Sequence, residues 1–312
     1  MSKELVTGGF GFIGTNLVRR LVADGRDVVA VDNQFLGRVE NLDGVNCEKI
    51  VCDICNFQKL KNIVETHDIK KIYHLAGFSS APMFKDHSER IISNLTGFKN
   101  ILELAATRKI NVVYATTSSL YARCQKPYTE DMKIVPGTPY ELSKYLMEIT
   151  AQMYLQYFGV SAKGARFFSV YGPYESHKTQ YANNATQFLW DLRAGRAPII
   201  YGDGTQTRDF TYVSDVVEAL MNIMEKGKDA EIYNVGTGIE YSFNQLVGIL
   251  NKKLGTNIKP TYVKNPLKNY VQSTLSDISK IKREIGWAPK MPFEDGLKKS
   301  IEFYSKNPQK EL

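Results

Sequence analysis

Thr7-Gly8-Gly9-Phe10-Gly11-Phe12-Ile13-Gly14 follows a short apolar run at 4–7 and opens an amphipathic stretch over 12–23. Glycines at these spacings let a backbone turn tightly out of a strand and come close to a pyrophosphate on the positive end of the next helix. The run reads as GxxGxxG (Gly8, Gly11, Gly14) or GxGxxG (Gly9, Gly11, Gly14). Alone the pattern is weak. A second β-rich run over 27–32 ends in Asp32, eighteen residues beyond Gly14, where an acid binds the adenosine ribose hydroxyls. An acid there repels a 2′-phosphate, so the expected cofactor is NAD. Arg38, six residues on, leaves NADP as the alternative.

Outward from this loop the chain alternates β-rich runs (48–52, 71–76, 111–116, 161–169) with amphipathic segments (57–65, 88–108, 139–157). Strict alternation predicts an α/β doubly wound parallel sheet with helices on both faces. Near-continuous apolar strands such as Val28-Val29-Ala30-Val31 suit burial on both sides. After Gly172-Pro173 the texture becomes short strands and turns, which predicts a smaller α+β lobe. The expected division is a dinucleotide-binding domain at 1–172 and mainly a substrate-binding lobe at 173–312. Segments near 205–217 and 232–236 are expected to return to the main sheet.

Composition narrows the rest. The 312 residues allow about two domains. Forty Lys and Arg against 33 Asp and Glu give a net charge of +7, with the bases scattered, which suits a small anionic ligand better than nucleic acid. No apolar run is long enough for a membrane helix, and no secretory leader pattern opens the chain. Four cysteines, with one lone CxxC at Cys52 and Cys55, predict neither a disulfide framework nor a metal site. A cytoplasmic protein is expected. His67, His74, His87 and His177 have no metal spacing, and Phe188 and Trp190 read as packing residues.

Tyr140-Glu141-Leu142-Ser143-Lys144 places a phenol and an ammonium one helical turn apart. The ammonium stabilises the phenolate, so the tyrosine can exchange protons near neutrality. Upstream, Thr116-Thr117-Ser118-Ser119 ends a predicted strand, and its hydroxyls can hold the reacting oxygen.

Taken together, TGGFGFIG, Val31-Asp32-Asn33, His74-Leu75-Ala76-Gly77, TTSSLYA (116–122), YELSK, RFFSVYGP (166–173), YGDGTQTRDFTYVSD (201–215) and Gly286-Trp287 span the chain. The sequence resembles the extended short-chain dehydrogenase/reductase superfamily, in its NAD-dependent nucleotide-sugar epimerase/dehydratase branch, nearest the 4-epimerases. The resemblance implies a Rossmann fold with Thr117, Tyr140 and Lys144 as catalytic residues. It implies NAD held by Gly8, Gly11, Phe12, Ile13, Gly14, Asp32, Asn33, Asp53, Ile54, Leu75, Ala76, Gly77 and Asn94, with Tyr140 and Lys144 at the nicotinamide end. For a nucleotide-diphosphate sugar it implies Ser118, Ser119, Ser169, Asn183, Tyr201 and Arg208. A homodimer is implied as well.

The sequence departs from the family in three places. Ser169 stands where Asn is usual, and no arginine is evident near Lys268-Asn269-Tyr270-Val271. Ser118 and Ser119 hold places where dehydratases and decarboxylases carry a carboxylate, which argues against elimination. The expected activity is 4-epimerisation through a transient 4-keto sugar. The alternatives are a net C4 dehydrogenase or 4-keto-reductase using the same residues and, more remotely, a noncatalytic NAD-binding sensor.

Overall fold

A computed structural model describes residues 3–85, 87–265 and 271–307. Its strands are β1 (Lys3–Thr7), β2 (Val28–Asp32), β3 (Glu48–Val51), β4 (Ile69–His74), β5 (Asn111–Thr117), β6 (Ala162–Phe167), β7 (Val170–Tyr171), β8 (Ile199–Tyr201), β9 (Thr207–Arg208), β10 (Thr211–Tyr212), β11 (Ile232–Val235), β12 (Tyr241–Ser242) and β13 (Thr261–Val263). The helices are α1 (Phe12–Ala23), α2 (Phe57–Thr66), α3 (Glu89–Arg108), α4 (Pro139–Phe158), α5 (Asn184–Arg193), α6 (Val213–Lys226), α7 (Phe243–Leu254), α8 (Ser279–Ile285) and α9 (Phe293–Lys306).

Seven strands form one parallel sheet in the order β3-β2-β1-β4-β5-β6-β11. The order reverses between β1 and β4, so a crevice opens at the carboxyl ends of those strands, where doubly wound sheets bind ligands. Alternate residues feed opposite faces. Val6 and Ala30 pack with Leu17 of α1 and Val216 and Leu220 of α6. Leu5, Val29 and Val31 pack with Leu60 of α2, Phe98 of α3 and Met147 of α4.

The stretch 232–235 joins this sheet beside β6. The stretch 205–217 does not. Thr211 and Tyr212 run parallel to Val170 and Tyr171 in a separate pair, and α6 then returns to pack on α1, β5 and β6. That segment reaches the sheet domain as a helix, because its apolar positions from Val213 to Met224 recur at helical spacing. The lobe has its own core, in which Phe188, Trp190, Phe210, Phe243, Phe293 and Tyr304 are buried together.

Candidate active site

The glycine loop is shaped by contacts that leave no room for a side chain. Gly8 has φ +69°, and a Cβ there would lie 2.7 Å from the Ala76 nitrogen; one on Gly14 would lie 2.0 Å from the Gly8 carbonyl. The backbone of the first turn therefore packs directly on the loop after β4. Helix α1 begins at Gly11 with no side-chain cap. Its leading N–H groups are left for an anion.

A cleft of about 600 Å³ starts here. Gly8, Gly11, Phe12, Ile13 and Gly14 line it, followed by Asp32 and Asn33, Asp53 and Ile54, and Leu75, Ala76 and Gly77. Asn94, Thr117, Ser118, Ser119, Tyr140, Lys144, Ser169 and Asn183 complete the expected set within it.

At the β2 end, Asp32 is buried, and its carboxylate accepts from the Gln34 N–H at 2.7 Å and the Phe10 N–H at 3.2 Å. Burial raises its pKa despite these bonds. Asn33 donates to Asp53 at 2.9 Å. Burial pushes the Asp53 carboxyl up, but this bond and one from the Cys55 N–H hold it below its ordinary value. Arg38 donates to the carbonyls of Gln34 and Gly37 and does not line the cleft, so it is not placed as a 2′-phosphate ligand. The uncapped helix end, the cradle kept open by Gly8 and Gly14, and the buried acid after β2 together fit NAD.

The chemical end sits where β5 meets α4. That helix is well specified: the Thr138 side chain accepts from the Glu141 N–H, Pro139 occupies its first turn, and Gly159 closes it at φ +66°. Its first turns present Tyr140 and Lys144, both buried, to the end of β5. Burial pushes the Tyr140 phenol up to about 12, against a hydrogen bond with Thr117 that lowers it. Lys144 donates to the Ala115 carbonyl at 3.1 Å, and burial brings its ammonium down to about 8, opposed by the charge of Glu148. Thr117 accepts from the Ser119 N–H at 3.1 Å, which fixes its hydroxyl at the strand end. Asn94 bonds both the N–H and C=O of Phe78 and donates to Ser143 on α4, bracing the floor of the cleft.

The turn between β6 and β7 supplies Ser169 to the cleft, and the lobe supplies Asn183, with Lys178 and Tyr181. Tyr201, 41% exposed at the end of β8, and Arg208 on β9 are not among the residues lining it. Arg208 donates to the Thr207 carbonyl at 2.7 Å and lies over the Phe243 ring. Lys268, Asn269 and Tyr270 lie outside the described residues. Sequence reasoning missed Glu175, a fully buried carboxylate that accepts from the Asn183 N–H at 2.8 Å and the Thr186 hydroxyl and pairs with Lys178 at 3.2 Å. It organises the loop over 175–183, and no local motif signals it. Sequence reasoning also gave no role to Glu148, which forms a buried ion pair with Arg166 at 2.6 Å.

A doubly wound crevice ending in a buried hydroxyl, tyrosine and lysine carries the groups that proton exchange at an alcohol or carbonyl requires. The comparisons with known proteins agree. The model of the NAD dependent epimerase/dehydratase family matches residues 4–236. A UDP-glucuronate 4-epimerase from Thermodesulfobacterium geofontis is 33% identical, over 98% of this chain and 97% of its own. The crystal structure of a UDP-glucose 4-epimerase from Thermotoga maritima with UDP-glucose superposes with a TM-score of 0.92 at 32% identity, covering 98% of this chain and 99% of that one. A dTDP-glucose 4,6-dehydratase from Bacillus anthracis, in complex with NAD, follows at a TM-score of 0.88 and 26% identity, covering 99% and 98%. The chain belongs to the NAD-dependent epimerase/dehydratase family. Its cofactor is NAD.

Proposed function

We propose that the protein inverts C4 of a nucleotide-diphosphate hexose through a transient 4-keto sugar. One observation carries this reading. The only carboxylates lining the cleft among the described residues are Asp32 and Asp53, both at the adenosine end, while Ser118 and Ser119 follow Thr117. Eliminating water or carbon dioxide from the sugar needs further acid–base chemistry beside it, and two hydroxyls do not supply a carboxylate. A proton exchanged at one alcohol does not need one.

In this reading Thr117 and Tyr140 hold the C4 oxygen between them. Tyr140, as phenolate, takes the hydroxyl proton and later returns it. Burial holds the phenol near 12 even with its hydrogen bond to Thr117, so its activation depends on the Lys144 ammonium. Bound NAD supplies the hydride acceptor and then the donor. Asn94 keeps α4 and the loop at 77–78 in register while the sugar turns over. Ser118, Ser119, Ser169 and Asn183 would contact the sugar and its phosphates. Arg208 would clamp the diphosphate and Tyr201 lie against the nucleoside, both from outside the cleft wall. The sugar is proposed as a UDP-linked glucose or glucuronate, in line with the two epimerase relatives.

Incubation with UDP-glucose and UDP-glucuronate without added cofactor tests the reading. Multiple-turnover inversion at C4, resolved by NMR, is expected for at least one. Accumulated keto sugar, or dependence on an external electron acceptor, would replace it with the net oxidoreductase.

Two wider features belong to this proposal. Helices α3 and α4 pack together and leave Ile92, Leu142, Ile149, Met153 and Tyr157 exposed, a face suited to a homodimer. A monomer by light scattering would overturn that. Four free thiols, at Cys47, Cys52, Cys55 and Cys124, and no described helix able to cross a membrane suit a cytoplasmic setting. A disulfide found in protein isolated from its host would contradict it.

A further inference from the structure

Tyr140, Lys144 and Glu148 succeed one another along α4 at intervals of about one turn, and the last has no part in the chemistry above. Glu148 is 3% exposed and Arg166 is 4% exposed. Neither lines the cleft; both border a separate cavity of about 410 Å³. Neither is therefore placed to touch sugar or cofactor.

The Glu148 carboxylate is nonetheless fully engaged. One oxygen accepts from the Thr116 hydroxyl at 2.7 Å and from Arg166 Nε at 2.9 Å, and the other accepts from Arg166 Nη2 at 2.6 Å. Arg166 also donates to the Tyr121 hydroxyl at 2.6 Å, which donates to Asn234 at 2.8 Å. Two rungs thus tie α4 to the end of β5: Lys144 to Ala115 and Thr116 to Glu148. Thr117 is the next residue. A buried ion pair is a poor device for stability alone, since apolar residues of similar volume often do as well.

We infer that Glu148, held by Arg166, is a positioning residue for the Tyr140–Lys144 pair, fixing the end of β5 against α4 and supplying the counter-charge to the Lys144 ammonium. The inference rests on Tyr140 and Lys144 being the acid–base pair. The other polar and charged groups facing them leave this role to Glu148. His74 from β4 is held neutral by burial and by Lys144. Glu141 turns back to the Gly137 N–H ahead of the helix, where it also meets Arg123 at 2.8 Å. Tyr114 and Thr117 from β5 and Asn94 from α3 are uncharged. Burial already brings Lys144 down to about 8, with Glu148 opposing. Neutralising Glu148 removes that opposition and leaves the Arg166 cation behind.

Lysine side-chain NMR titration of the purified protein, with Lys144 assigned by its loss in Lys144→Met, tests this without substrate. Glu148→Gln, which keeps the size and one acceptor, is expected to lower the Lys144 midpoint by about one pH unit. Glu148→Asp keeps the charge and is expected to leave the midpoint within about half that shift. The double variant Glu148→Gln/Arg166→Met removes both buried charges and is expected to recover at least half of it. An unmoved midpoint in Glu148→Gln, or a double variant shifted as far as the single, would overturn the inference. Should the single variant fail to fold, Arg166→Met decides: it leaves the Glu148 charge unshared beside Lys144 and is expected to raise the midpoint by about half a unit or more, and an unmoved or lowered midpoint refutes the inference. Turnover retained by Tyr140→Phe would instead sink the functional reading while leaving the Lys144 titration intact.

Discussion

The residues proposed for the dinucleotide come mainly from four short segments, 8–14, 32–33, 53–54 and 75–77, each at or just beyond the carboxyl end of a parallel strand, and all of them line one cleft. Those proposed for the substrate come from 118–119, 169, 183, 201 and 208, and the last two stand outside that cleft. The dinucleotide end is built by backbone: a turn too tight for side chains and a helix start without a cap. The substrate end is built by side chains on short strands and loops whose positions depend on contacts far along the chain. Backbone solutions leave local traces in sequence; side-chain solutions assembled from distant segments leave few.

Four experiments break or sharpen this contrast. The largest effect is expected where the two ends meet. Tyr140→Phe should cut turnover by about 10³-fold while tightly bound NAD, released by denaturation, stays near stoichiometric. Equal loss of both would mean that the tyrosine organises the crevice rather than the reaction. Next, Gly14→Val should abolish NAD retention and lower the melting temperature, because its side chain would collide with the Gly8 carbonyl; a variant that still copurifies with NAD would show the cradle to be more forgiving than its geometry.

Arg208→Met is the counterpart in the lobe. It should raise KM for the nucleotide sugar by about 10- to 100-fold, the scale of one charge-assisted contact, with NAD content unchanged. Unchanged KM would remove Arg208 from the substrate site. The smallest effect concerns His74, at the end of β4. Burial, then Lys144, holds its imidazole well below its ordinary value of 6.5, to about 3, with Thr7 Oγ1 2.9 Å from Nδ1. The unfolded chain binds the extra proton first, so this residue's share of stability is present above pH 6.5 and is lost as pH falls toward 3. His74→Gln should flatten that part of the stability curve in denaturant titrations, and an equally steep curve would assign acid lability elsewhere.

Much of the sheet was legible from apolar runs and turn residues. Helix α1 matches the stretch read at 12–23, and Phe188 and Trp190 are packing residues as read. What was not legible follows from physics. The fate of 205–217 depended on whether two residues, Thr211 and Tyr212, found partners in the main sheet or in β7, and a two-residue strand has no periodicity to read. Glu175 and Glu148 look like ordinary surface acids in sequence. Their burial depends on partners such as Tyr304 for Glu175 and Thr116 and Arg166 for Glu148, which no local pattern connects to them. By contrast, the serines after Thr117 were informative because an absent carboxylate is as visible in sequence as a present one.

One of the sheet's two outer strands, β11, is also the last of the seven to be made. During synthesis, β6 leaves the ribosome with one edge unpaired. It stays so through the length of the lobe's first half, until residue 235 emerges and β11 can dock. An unpaired edge beside hydrophobic faces invites association with other chains. A nascent chain whose emerged part ends anywhere between 168 and 231 therefore presents such an edge. Chaperone demand should peak in that window, and the two halves should not be separable by cutting the gene at Gly172-Pro173, because the second half carries a strand of the first.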